Sequence, residues 1–275
     1  MNWNQLGYLC RLFLPSSNLT SAQKTQLSSA RHLRIYKCGQ PDSSLATQLS
    51  AQLIDSNSEY EQQRLALCYE QLPSVICSGG FTYKGKLSYL AAVFAIFIVI
   101  NVIYQLYVMP TFLAVFSDYH VQLNSSFSYI TQFWYVFVLL LGCLFTITWL
   151  SGIRLNQISN VLKADSSPSL FDFIIPQKIK QQYLTLIAIL EFPIKGSKEN
   201  SGIPELDHLQ HCQLHGLDIS KEFAFLAKQK ALELKQDAKA HLNKLISIFT
   251  IAMVIVIALF LKDAYQPIFA LGEIL

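Results

Sequence analysis

Three stretches of the chain are apolar for long enough to cross a bilayer, and polar segments with helical spacing surround them. The first runs from about Ser88 to Met109 (SYLAAVFAIFIVINVIYQLYVM) and the second from about Phe133 to Ile153 (FWYVFVLLLGCLFTITWLSGI). The third runs from about Leu245 to Leu261 (LISIFTIAMVIVIALFL). The first two cover the roughly 20 residues that a hydrocarbon core of about 30 Å demands. The third is shorter and reaches full length if it tilts little or if Lys262 snorkels. The pattern predicts transmembrane helices over 87–109, 133–153 and 245–262.

The polar segments carry helical stripes of their own. Leu45, Leu49 and Leu53 repeat every four residues, and Leu65, Leu67 and Leu72 follow more loosely. This predicts a small helical domain over 1–86, with Gly79 and Gly80 as a break before the first span. Residues 154–244 predict a second helical domain. One helix is expected to begin near Pro176, and the run from Lys195 to Gly202 reads as a turn. Pro204 then opens a helix that Gly216 closes, and Asp218 or Ser220 can cap the next. That next helix has no Gly or Pro before the third span, which predicts one rod from about Ile219 to Lys262. At the usual rise the rod is roughly 65 Å long and would couple movement outside the bilayer to the membrane. The expected fold class is all-α: a polytopic membrane protein with three transmembrane helices and two cytoplasmic helical-bundle domains.

Composition and charge set the orientation. The chain is 52% hydrophobic and 14% charged, where a soluble domain carries about 25% charged residues. The deficit is local: from Leu87 to Ile153 there is no Lys or Arg, and Asp118 is the sole carboxylate. Residues 1–86 hold eight Lys/Arg and residues 154–244 hold twelve, whereas 110–132 hold none. The positive-inside rule then puts the N-terminus and 154–244 in the cytoplasm. It puts the 110–132 loop and the 263–275 tail on the periplasmic side. Trp134, Tyr135 and Trp149 sit at the two ends of the second span, as interfacial aromatics do. A net charge of +3 without a dense basic patch argues against nucleic acid. The stretch MNWNQLGYLCRLFLPSS lacks the features of a cleaved signal peptide, so the first span is expected to act as an uncleaved signal. The six cysteines form no CxxC pair and are expected to be free thiols.

A weak internal repeat links the two span exits. NVIYQLYVMPTFLAVF follows the first span and LFLKDAYQPIFALGEIL the third. Aligning Pro110 with Pro267 also aligns Phe112 with Phe269. Each copy is then a polar helical domain, a span and a Pro-x-Phe exit, with the second span returning the chain between them.

The two exits also carry a resemblance. YVMPTFLAVFSDYHVQLNSSFSYITQFWYVFVLLL resembles the central segment of the type II secretion F protein family, which includes the inner-membrane platform proteins of type IV pili. AYQPIFALGEIL is similar to that family's closing Leu-Pro-Ile-Phe-x-Leu-Gly, and the resemblance covers roughly 60–160 and 205–275. The chain departs from the pattern in being short, and HCQLHGLDIS stands where a Gly-Glu-x-Ser-Gly turn is common. The resemblance implies a non-catalytic platform without a cofactor. Its implied partners are a cytoplasmic hexameric assembly ATPase, pilin or pseudopilin subunits, other inner-membrane assembly proteins and further copies of itself.

Several residues are candidates, each with a plainer alternative. Asn101 and Gln105 lie four apart on one face of the first span. They are candidates for pilin or helix–helix contact, or for an internal contact to another span. Pro110 and Pro267 are expected to end or kink their spans, with Phe112 and Phe269 anchoring at the interface or gripping the substrate. Lys221, Lys228, Lys230, Lys235 and Lys239 form either a solvated helix face or a docking surface for the ATPase. His208, His211, Cys212 and His215 fall within about 100° on a helix and are a weak zinc or copper candidate. The alternative is a polar face or a subunit contact. No Walker, HExxH, GxSxG or dinucleotide motif occurs, so no catalytic role is expected. A transporter or channel subunit is the competing function. A membrane-anchored enzyme or metal sensor built on the histidines is the third.

Overall fold

The N-terminal helix begins with a reciprocal cap. The Asn2 side chain accepts from the Gln5 amide at 2.9 Å, and the Gln5 side chain accepts from the Asn2 amide at 2.9 Å. Two orphan donors of the first turn are thereby satisfied. The same two side chains reach onward, Asn2 donating to the Tyr36 carbonyl at 2.7 Å and Gln5 to the Arg31 carbonyl at 2.9 Å. One capping box thus also pins the segment that follows.

The computed structural model describes residues 1–37, 41–56, 58–77, 84–118, 125–161, 175–196 and 202–272. In chain order the helices are α1 (Trp3–Phe13), α2 (Ser21–Ser28), α3 (Arg34–Lys37), α4 (Ser44–Asp55), α5 (Glu59–Tyr69) and α6 (Leu72–Cys77). Then come α7 (Lys84–Ile103), a π-helical turn (Tyr104–Val108), α8 (Met109–Asp118) and α9 (Ser125–Ser159). The chain continues with α10 (Gln177–Lys195), α11 (Pro204–Leu214) and α12 (Ile219–Gly272). The described residues contain no strand, so the fold is all-helical as expected. The Gly79–Gly80 break, Cys38 and residues 197–201 of the expected turn lie outside the described residues.

The polar segments differ from expectation in one respect. Two separate helical domains were anticipated, but Met1–Phe81 and Ile153–Ala240 form one compact unit. The reason is incomplete closure of either segment alone. α1 packs against α4, α5 and α6, which buries Leu45, Leu49 and Leu53. Tyr69, however, finds its partners in the second segment. Its hydroxyl donates to the Leu190 carbonyl at 3.0 Å, and its ring meets Phe223 edge-on at 5.7 Å. Trp3 donates to the Asn160 carbonyl at 3.2 Å, and Arg64 to the Pro193 carbonyl at 2.8 Å. Ser43 donates to the Val161 carbonyl at 2.8 Å. Val161 has φ 48°, a left-handed conformation that a β-branched residue rarely adopts, and its side chain is fully buried. Burial and the Ser43 bond hold it there.

The second unit comprises Thr82–Gly152 and His241–Leu275. It contains all or part of three helices long and apolar enough to cross a membrane: Lys84–Asp118, Phe133–Ser159 and Ile219–Tyr265. The core holds Leu90, Phe94, Phe97, Leu141, Phe249 and Met253. Phe94, Phe145 and Phe249 meet pairwise at ring distances of 5.6 to 5.9 Å. The outer faces are as apolar as the core, with Ile96, Val99, Leu106, Leu139, Ile251 and Val254 exposed. Apolar surface on that scale matches a lipid environment rather than water.

Pro110 does not end the first apolar helix. It lies in α8, one residue after Met109, whose amide bonds the Tyr104 carbonyl five residues back. Proline lacks an amide hydrogen and crowds the carbonyl four residues earlier; a π turn widens the backbone there and lets the helix continue. Pro267 likewise lies within α12, of which it interrupts no part. The expected rod is therefore present and extends to Gly272. Asp218 caps it, accepting from the Ser220 amide at 3.0 Å and hydroxyl at 2.6 Å.

Gly7 sits where α1 meets α6, and a Cβ there would overlap the rigid Pro73 ring. Gly7→Ala should therefore destabilise by about 1–3 kcal/mol, although alanine is the better helix former. Gly85→Ala meets open space in α7 and should be neutral or slightly stabilising. Thermal unfolding of the detergent-solubilised chain, followed by circular dichroism, compares the two.

Candidate functional site

Inside the membrane unit, one short cleft brings together polar side chains from two of the apolar helices. It has a volume of about 60 Å³ and is lined by Asn101 and Gln105 from the first apolar helix and Asp263 from α12. Asn101 and Asp263 are each only 4% exposed. Asn101 therefore faces the interior of this chain rather than lipid, and Gln105 is partly buried beside it. Neither Asp263 Oδ1 nor the buried Tyr104 hydroxyl has a hydrogen-bond partner among the described residues. Tyr104 opens the π turn, packs near Ala264 and meets Phe260 edge-on at 5.1 Å. Sequence reasoning singled out Asn101 and Gln105 but missed Asp263 and Tyr104. Asp263 was read as the first residue beyond the span, and only the neighbouring helices show that it turns inward.

The Pro-x-Phe residues are not gathered at this cleft. Pro110 is exposed, and Phe112 stacks on Phe116 within α8 at 6.5 Å. Phe269 is 71% exposed, and of Pro267 only its place in α12 is described.

The lysines of α12 divide into two kinds. Lys230 is held between Glu205 at 2.8 Å and Glu233 at 3.0 Å, so it closes α11 onto α12. Lys235 is also engaged, donating to the Ile76 carbonyl at 2.6 Å. Lys221, Lys228 and Lys239 are exposed. At 100° per residue these three fall within about 20° of one another, on a single stripe. A second stripe, Phe223, Ala227, Ala231, Leu234, Ala238 and Leu242, centred about 100° further round the helix, is buried. Asp237 takes Lys178 and Gln182, each at 2.8 Å, which hold its carboxyl below the usual range.

The histidine cluster is loosely assembled. Cys212 Sγ lies 3.6 Å from His208 Nε2, which lies 3.7 Å from Glu222. His211 and His215 are exposed. Among the described residues no group of three or more His, Cys, Asp or Glu side chains is placed to hold a metal ion. Cys10, Cys68, Cys143 and Cys212 are free thiols. Burial pushes the Cys10 thiol up to about 12 and the Cys68 thiol up to about 11, so both are inert as nucleophiles.

A groove of about 620 Å³ opens in the polar unit, between α5, the end of α10 and the α11–α12 turn. Tyr60, Arg64, Leu67, Lys195 and Leu217 line it. The sequence carries no signal for it, because its walls come from three segments distant in the chain. No protein-family model, curated protein or solved structure matches the chain.

The Glu205–Lys230 pair has a definite pH signature. Partial burial raises the Glu205 pKa, but its hydrogen bonds to the Lys230 ammonium and a backbone amide outweigh this and hold it below the ordinary 4.5. The Glu205 bond in turn raises Lys230 above 10.5. The carboxylate thus stabilises the fold above its unfolded value, and the effect is lost as pH falls through the lower folded value. The ammonium stabilises below 10.5 and the effect is lost as pH rises through the higher folded value. Glu205→Gln should flatten the acid limb of a stability–pH profile, measured as melting temperature between about pH 3 and about pH 7.

Proposed function

We propose that this chain is a non-catalytic assembly platform of a bacterial inner membrane, of the kind its two Pro-x-Phe segments resemble. In that role it couples a cytoplasmic hexameric ATPase to the insertion of pilin or pseudopilin subunits into a fibre. It works with other inner-membrane assembly proteins and as a homo-oligomer.

The observation that carries this reading is the single compact unit formed by Met1–Phe81 and Ile153–Ala240. Tyr69 and Leu190 are 121 residues apart, and two of the three apolar helices lie in the chain between them. Segments that share buried hydrogen bonds must share one aqueous compartment. The first apolar helix must therefore leave it and the second return to it. The Lys/Arg bias of the same segments favours the cytoplasm as that compartment. The third helix then carries the C-terminus out again. The uninterrupted α12, which contributes residues to both units, suits a part that passes motor work to the membrane. The stripe of Lys221, Lys228 and Lys239 offers an acidic partner a charged docking face.

One observation favours a second reading, a transporter or channel subunit. Asp263 is an ionisable residue buried among apolar helices, and such residues mark ion or substrate paths in many membrane proteins. Three spans are few for a pathway within one chain, so that reading needs an oligomer with the cleft at its axis.

Two experiments separate the outcomes. Cysteines placed at Ser21 and Gln236, in a background without native cysteines, should both label with an impermeant maleimide only from the cytoplasmic side. Labelling of either in intact cells would overturn the topology. Reversing Lys221, Lys228 and Lys239 to Glu together should cut co-purification of the motor ATPase at least tenfold, with the melting temperature unchanged. Unaltered ATPase recovery would remove the docking assignment. Normal fibre assembly in a deletion strain would remove the platform reading itself.

A further inference from the structure

The membrane cleft holds a carboxylate, and no cation is among the residues that line it. Asp263 is nine-tenths buried and more, and its Oδ1 has no hydrogen-bond partner among the described residues. Residues 87–153 contain no Lys or Arg, and 245–275 contain only Lys262, whose side chain is exposed. Among the described residues Asp263 is in no ion pair, and Lys262 acts on it only as an exposed neighbouring charge. A bare carboxylate among such helices is costly, which favours a partner from outside this chain.

The rest of the lining says what that partner is. Asn101 and Gln105 add amide oxygens, and four aromatic rings, Phe97, Trp134, Phe137 and Phe260, complete the wall. Ring faces carry negative quadrupole density and attract cations, and ammonium groups are their characteristic guests. An anion would face the Asp263 carboxylate. A wholly apolar guest would leave Asp263 unpaired. Calcium takes more oxygen ligands than one carboxylate and two amides provide, and magnesium keeps several of its waters, for which so small a cleft has little room. The volume of about 60 Å³ is that of about two water molecules, enough for one small alkylammonium head.

We propose that this cleft is a binding site for a singly charged ammonium group, with Asp263 as the counter-ion and the aromatic wall as its cage. The group arrives either as a free small amine or on a lysine side chain of a partner transmembrane helix. The assignment rests on the cleft alone and stands apart from the platform reading.

The test uses the full chain in lipid nanodiscs, with Trp134 as the built-in reporter. Methylammonium chloride is titrated against sodium chloride at matched ionic strength. In a second arm, an apolar helical peptide with one central lysine is compared with its norleucine counterpart. One of the two ammonium probes should give a saturable change in tryptophan emission that Trp134→Phe abolishes. Saturation by methylammonium identifies the free amine as the source, and saturation by the lysine peptide alone identifies a partner helix. Asp263→Asn should weaken the apparent affinity at least tenfold. Phe137→Leu, at a side chain already partly exposed, should weaken it about threefold to tenfold. No saturable response to either ammonium probe would overturn the proposal. So would equal responses to sodium or to the norleucine peptide, or unweakened binding by Asp263→Asn. If Asp263→Asn loses its helical circular dichroism, Phe137→Leu decides, and unchanged affinity there overturns the cage.

Discussion

The bond between the Tyr69 hydroxyl and the Leu190 carbonyl, with the Tyr69 ring set against Phe223, ties together three helices from opposite ends of the chain. Both groups are buried, so breaking the bond leaves a polar atom without water, at a cost of about 1–3 kcal/mol. Burial also keeps the hydroxyl protonated, since desolvation holds its pKa well above the usual value. The constraint reaches beyond local packing. A chain whose distant polar segments interlock in this way must cross the bilayer an even number of times between them.

Within the lipid-facing unit the rules change. Outer faces carry Ile96, Val99, Leu139 and Ile251 with no penalty, because the surroundings are as apolar as the core. Cohesion comes instead from shape: three phenylalanine rings meeting pairwise around Leu141 and Met253. Backbone donors must be satisfied within their own helix, and a proline such as Pro110 locally breaks that pattern. The π turn from Tyr104 to Val108 absorbs the missing donor and keeps the helix intact to Asp118. The same turn places Tyr104 beside the cleft of Asn101, Gln105 and Asp263. An unusual backbone and an unpaired carboxylate therefore occur together.

Along α12, chemistry that looks uniform in sequence is divided by burial. Five lysines recur from 221 to 239, yet Lys230 and Lys235 close contacts within the polar unit while Lys221, Lys228 and Lys239 face solvent. Only Lys230 stands apart from the others around the helix; Lys235 shares the stripe of the exposed three and differs in having the Ile76 carbonyl within reach.

Sequence alone determined what depends on composition and period. Three apolar runs, the helical stripe of Leu45, Leu49 and Leu53, the start of α10 after Pro176 and the unbroken α12 were all legible, because each is a local property of the chain. The joining of the two polar segments was not, because the apolar stripe of each looks complete until Tyr69 and Leu190 are seen to need each other. Passage of the helix through Pro110 was hidden too, since proline reads as a break and only the widened backbone shows how it is tolerated. The inward turn of Asp263 was equally invisible. Its position just past an apolar run reads as an exit to water, and only the two helices that pack against α12 there decide that it is buried.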